Sequence, residues 1–150
     1  VNLLRSVDIV FPAMHGSFGE DGEVQAFLEK YSIPFIGSGS KSCKKAFDKY
    51  EANQEISKNG FFTLPSALLK IYSKDNKEVI ENFFKKYKIK KAIVKPATGG
   101  SSIGVFIVEN SREALLKTEI LKELLTNAVA DFAAKKITKD QFNTITSALK

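Results

Sequence analysis

Lys95-Pro96-Ala97-Thr98-Gly99-Gly100-Ser101-Ser102-Ile103-Gly104-Val105 is the stretch on which the fold turns. Ala92-Ile93-Val94 ahead of it is a short β-branched apolar run, and Val105–Val108 behind it reads as a second strand. A lysine at the end of a buried strand supplies a fixed positive charge. Two adjacent glycines and two serines let the backbone close over an anion with N–H and hydroxyl groups pointing inward. Gly-Gly-Ser-Ser by itself describes an ordinary hairpin turn; strand, lysine, proline and a loop of small residues running into another strand is a rarer combination. It is not a Walker A loop, because the lysine precedes the glycines and no helix opens after them.

Upstream, Val7–Ala13 reads as a short buried strand entering the loop His15-Gly16-Ser17-Phe18-Gly19-Glu20-Asp21-Gly22. A helix then places Val24, Phe27, Leu28 and Tyr31 on one face, and Ile33–Gly37 reads as another strand. Strand, glycine loop, helix and strand predict a crossover onto a parallel sheet, with ligands at the carboxyl ends of the strands. A histidine and two carboxylates in such a loop can place polar groups against a small substrate, and Asp21 is equally suited to capping the following helix. The fold class is therefore α/β.

Beyond the turn Ser38-Gly39-Ser40, residues 41–59 read as one helix with a stop at Asn59-Gly60, and it carries Asp48-Lys49. Phe61–Tyr72 reads as extended, and Asn76–Tyr87 as an amphipathic helix with Val79, Ile80, Phe83 and Phe84 inward. Asn110 with Glu113, and Thr138 with Gln141, are capping-box patterns. They open two helices, one with the stripe Leu115, Leu116, Ile120, Leu121, Leu124, Leu125, Val129 and Phe132, the other with Phe142, Ile145 and Leu149. Residues 112–150 thus read as a helical hairpin.

The charge is uneven: −3 over residues 1–37, +7 over 38–111 and +2 over 112–150. The middle of the chain is where an anion would be drawn. Lys85, Lys86, Lys88, Lys90 and Lys91 read as a solvated face, and no nucleic-acid motif accompanies them. The single cysteine, Cys43, excludes an internal disulfide and fits a reducing, cytoplasmic setting; its reading is a small helix residue. No apolar run reaches the roughly 20 residues of a membrane span, and no leader peptide is read at Val1.

Taken together, His15-Gly16 with Gly19-Glu20-Asp21-Gly22, then Gly37-Ser38-Gly39, Phe47-Asp48-Lys49 and the Lys95–Val105 stretch resemble the D-alanine–D-alanine ligase family, in order and spacing, over residues 7 to about 111. The resemblance implies a partial Rossmann-like (pre-ATP-grasp) parallel sheet in residues 1–37, the end of an amino-terminal substrate domain. It implies the ATP-grasp central subdomain in residues 38–111; the hairpin 112–150 is a tail of uncertain role. It further implies that Lys49 and Lys95 contact ATP phosphates and that the loop Gly99, Gly100, Ser101, Ser102 to Gly104 closes over them. Ser101 would join a hydrogen-bond network near the first D-alanine, with His15 and Glu20 in the substrate-side loop. The implied reaction joins two D-alanines through an acyl phosphate, for peptidoglycan-precursor synthesis, with ATP and magnesium.

Family members are about twice this size, and the domain carrying the adenine linker, a phosphate-stabilising arginine and the magnesium ligands is not recognisable after Val108. The expectation is a fragment or truncated form, inactive alone, with no metal ligand of its own. Alternatives stay open: a non-catalytic nucleotide-binding or partner-binding protein derived from that fold, or another ATP-grasp carboxylate–amine ligase. The tail is either a structural lid or a docking element, homodimerisation included. Nucleic acid and membrane are not expected partners.

Overall fold

The computed structural model describes residues 1–99, 104–136, 138, 139 and 141. A 3-10 turn at Leu4–Ser6 precedes helices α1 (Glu23–Lys30), α2 (Ser40–Phe47), α3 (Lys49–Lys58) and α4 (Asn76–Tyr87), strands β1 (Ala92–Val94) and β2 (Phe106–Val108), and helix α5 (Ser111–Ala133). β1 and β2 pair antiparallel in the register Ala92–Val108, Ile93–Ile107 and Val94–Phe106.

The amino-terminal layer is held by α1. Its buried Val24 and Leu28 meet Ile33, with Leu4, Val10, Phe27, Tyr31 and Phe35 packed around them. Ser32, at φ 52°, turns the chain out of α1; its N–H donates to Glu29 and the Ile33 N–H reaches back to Leu28. That pattern gives the Leu28 and Glu29 carbonyls partners at the helix end and seats Ile33 on Leu28. The segment 7–13 is extended as expected, but it is neither a regular strand nor buried. It makes one parallel bridge, Val10 to Phe35, through Val10 N–H to Pro34 and Ile36 N–H to Val10, both 2.9 Å. Phe11 stays 71% exposed and Ile9 53%. A parallel strand is covered on both faces only where helices lie on both, and here α1 covers one. At 33–37 too Phe35 alone is bridged, although Ile33 is buried against α1.

The predicted single helix 41–59 is two. Asp48 leaves the helical region (ψ 109°) and its carboxylate caps α3 by accepting the N–H groups of Tyr50 and Glu51, each at 2.9 Å. At the far end Gly60, at φ 83°, supplies the left-handed turn that stops α3.

The second core joins Ile80 of α4, Val108 of β2 and Ala114 of α5, with Leu69, Phe84, Ala92, Val94, Phe106 and Leu115 around them. The predicted boundaries of α4 hold. β1 is half-exposed rather than buried, with Ile93 open to solvent on the face away from α5. α5 starts as its cap pattern requires: Asn110 Oδ1 accepts the Glu113 N–H, and Glu113 reaches back to the Glu109 N–H, each at 2.8 Å. Its buried line runs through Ala114, Thr118, Leu121 and Ala128, so Leu116, Leu124 and Val129 of the predicted stripe face outward. Thr138 and Gln141 form the second capping box reciprocally. Phe142, Ile145 and Leu149 lie outside the described residues. No helix among the described residues is long and apolar enough to cross a membrane.

Candidate functional site

Where β1 ends, the chain passes through Lys95 and the buried Pro96 into Ala97-Thr98-Gly99. Lys49, the first residue of α3, meets this turn twice. Its backbone N–H donates to the Ala97 carbonyl at 2.8 Å, and its ammonium donates to the Gly99 carbonyl at 2.7 Å. With Tyr50 and Glu51 capped by Asp48, the first three N–H groups of α3 are all taken, and the Ala52 N–H opens the helical ladder to the Asp48 carbonyl. Attraction for an anion here comes from side-chain ammonium groups rather than from a bare helix terminus. Lys49 is held below the ordinary lysine value, first by burial and then by the positive charge of Lys95, with Asp48 acting in the opposite sense.

Gly104 closes the loop on the far side. At φ 72° it adopts a conformation that side chains disfavour, and a Cβ there would lie 2.9 Å from Leu121 Cδ2 and 3.2 Å from the Pro96 ring. The return of the loop is thus seated against α5. Gly100, Ser101 and Ser102 lie outside the described residues.

The loop 15–22 is built from its own carboxylates. Glu20 Oε2 accepts the Gly16 N–H at 2.6 Å, and its Oε1 lies 4.0 Å from His15 Nδ1. Asp21 accepts the N–H groups of Phe18 and Glu23, so it both shapes the loop and caps the start of α1. The His15 side chain is fully exposed. Beneath the loop, Gln25 donates to the Gly19 carbonyl at 3.4 Å, while its buried Oε1 has no partner among the described residues. Gly22 fits because a Cβ would strike the Ser40 carbonyl oxygen of α2. Across the same junction the Glu29 carboxylate accepts the Ser40 N–H at 2.8 Å and its hydroxyl at 2.5 Å.

The fold therefore brings Lys49, Lys95 and Gly99 together, with Gly104 at the loop's return. His15 and Glu20 form a second cluster, and no hydrogen bond or ion pair among the described residues joins it to the lysines. Sequence reasoning missed Asp48 as a cap, although Asp48-Lys49-Tyr50-Glu51 carries the acid at the cap and Glu three residues on. It also missed Glu29 and Ser40, which carry no local pattern. The two neighbouring ammonium groups suit a polyanion such as a nucleotide's phosphates. A metal is a different matter: among the described residues no group of three or more His, Cys, Asp or Glu side chains could hold one.

A family model described as the D-ala D-ala ligase N-terminus matches residues 1–38. A D-alanine–D-alanine ligase of Natranaerobius thermophilus is 35% identical over 116 residues, which are 75% of this chain and 31% of that protein. Among solved structures, the D-alanine–D-alanine ligase from Bacillus anthracis matches with a TM-score of 0.66 at 32% identity, covering 81% of this chain and 38% of that one. VanG D-Ala:D-Ser ligase from Enterococcus faecalis matches with a TM-score of 0.64 at 30% identity, covering 76% and 32%. These matches put the chain in the ATP-grasp ligase class. Within it, the chain belongs to the D-alanine–D-alanine ligase family, of which it carries amino-terminal and central parts. It spans about a third of the length of the curated relatives it matches.

Proposed function

We propose that this chain supplies the phosphate-gripping part, and one wall of the first-substrate site, of an ATP-dependent ligase that joins two D-alanines. The observation that carries this reading is Lys49, fixed by Ala97 and Gly99 beside Lys95 at the mouth of the glycine loop. In the proposed division of labour, residues 38–111 hold the nucleotide and residues 1–37 face the amino acid. The two ammonium groups draw in the triphosphate and offset charge on its oxygens; compact, flexible lysines suit that role better than a planar guanidinium. The loop from Gly99 to Gly104, with Ser101 in it, would fold over the phosphates and exclude water. The first D-alanine carboxylate attacks the terminal phosphorus and ADP departs. The amine of a second D-alanine then attacks the acyl phosphate, and phosphate leaves. His15 and Glu20 would stand beside the first amino acid.

Magnesium supplies charge neutralisation in ATP-dependent phosphoryl transfer. The described residues do not fit it as ligands, so no step is routed through a metal here. Because the chain spans about a third of the length of its relatives, by itself it is expected to bind nucleotide weakly and to make no dipeptide.

Titration of the chain with ATP, read by calorimetry or by Lys49 and Lys95 chemical shifts, tests the proposal. Lys95→Ala should weaken binding about tenfold, as loss of one charge-assisted contact does. Equal affinity of the variant and the original chain would overturn the phosphate role. A second reading concerns the acceptor. The likeness to a D-Ala:D-Ser ligase over 76% of the chain matches that to D-alanine–D-alanine ligases, so a different second substrate fits these residues equally well.

A further inference from the structure

We infer that Asp48 is a positioning residue for the phosphate site, acting through Lys49 by starting α3 at that residue. This rests on the reading above that Lys49 contacts nucleotide phosphates.

The geometry separates two actions. First, the Asp48 carboxylate accepts the Tyr50 and Glu51 N–H groups, which breaks the run of residues 40–58 into two helices at this point. Had the helix continued, the Lys49 N–H would have donated to a carbonyl four residues back. Freed from the ladder, it donates to Ala97, and the side chain reaches Gly99. One cap therefore sets the direction of both contacts between α3 and the glycine loop. Second, Asp48 is an acid next to a lysine that burial and Lys95 both push toward the neutral form. The charged groups facing Lys49 are Lys95, just beyond β1, and Asp48 itself. On the neighbouring α2, Lys45 is paired with Glu55 instead. Asp48 acts against that push, in the sense that favours the ammonium form a phosphate needs.

Asparagine caps as well as aspartate but carries no charge, whereas alanine does neither. The test uses the 150-residue chain, with the Lys49 Cε resonance followed against pH and assigned by its loss in Lys49→Arg. Inorganic tripolyphosphate is the binding probe. In Asp48→Asn, Lys49 should titrate at lower pH than in the unaltered chain, and tripolyphosphate binding should fail earlier as pH rises. In Asp48→Ala, the Lys49 titration should move toward that of a free lysine, and tripolyphosphate affinity near neutral pH should drop about fivefold. Equal tripolyphosphate affinity of Asp48→Ala and Asp48→Asn, of which only the second keeps the helix start, overturns the inference. If the unaltered chain binds no tripolyphosphate while Asp48→Asn still shifts Lys49, the nucleotide reading falls and the Asp48–Lys49 coupling stands.

Discussion

The Lys49 ammonium donates to the Gly99 carbonyl oxygen over 2.7 Å, across fifty residues of sequence. That bond ties the first turn of α3 to the glycine loop, and it spends a cation on a neutral partner while a second cation, Lys95, stands close by. In the proposed function a phosphate oxygen takes the place of that carbonyl.

Lys49 should leave a mark on stability at alkaline pH. Its folded pKa lies below the unfolded value of 10.5. Between the two, the unfolded chain binds more protons than the folded one, so stability rises with pH in that window and is flat with respect to Lys49 below it. Lys49→Met should remove this rise. Urea midpoints of both chains between neutral pH and pH 11 would show it; parallel curves would contradict the assignment.

Glu29 works in the acid range with the opposite bookkeeping of charge. Hydrogen bonds from the Ser40 hydroxyl and N–H, with Lys41 nearby, hold its pKa below 4.5. Its contribution is present above pH 4.5 and disappears as pH falls through the depressed folded value. Hydrogen exchange at the Ser40 amide, taken relative to its intrinsic rate at each pH, should therefore quicken on acidification below that range in the original chain. In Glu29→Gln it should be faster at neutral pH and show no such step.

Two glycines separate backbone strain from packing. Gly60→Ala meets only the penalty of a left-handed alanine, about 1–2 kcal/mol, because nothing lies within 4 Å of the added methyl. Gly104→Ala adds contacts of 2.9 Å to Leu121 and 3.2 Å to Pro96, so it should cost roughly 1–3 kcal/mol more. Urea unfolding of the two variants side by side measures the difference, and equal losses would mean that α5 does not seat the loop.

Elements with a local cause were legible in advance. The helix 76–87, the stop at Asn59-Gly60, and the caps at Asn110/Glu113 and Thr138/Gln141 each depend on residues within one turn of one another. The lysine and glycine pattern of the proposed phosphate loop is local too, so Lys95, Gly99 and Gly104 were candidates from sequence, with Lys49 added by resemblance. Burial was less legible. Val7–Ala13 has the composition of a buried strand, yet its exposure depends on how many neighbours lie beside it. The leucines of α5 show the same limit, since which side of a long helix is covered is chosen by β1, β2 and α4, not by the helix.

Sequence by itself therefore determined the α/β class, the family and the composition of the glycine loop, because short-range sterics and capping act between near neighbours. The break of residues 41–59 at Asp48 lies in its own cap pattern, whereas tertiary structure alone decided that Lys49 meets Ala97 and Gly99. It alone also placed Glu29 on the start of α2. Those contacts join segments far apart in the chain, and their geometry exists only once the helices and strands have packed.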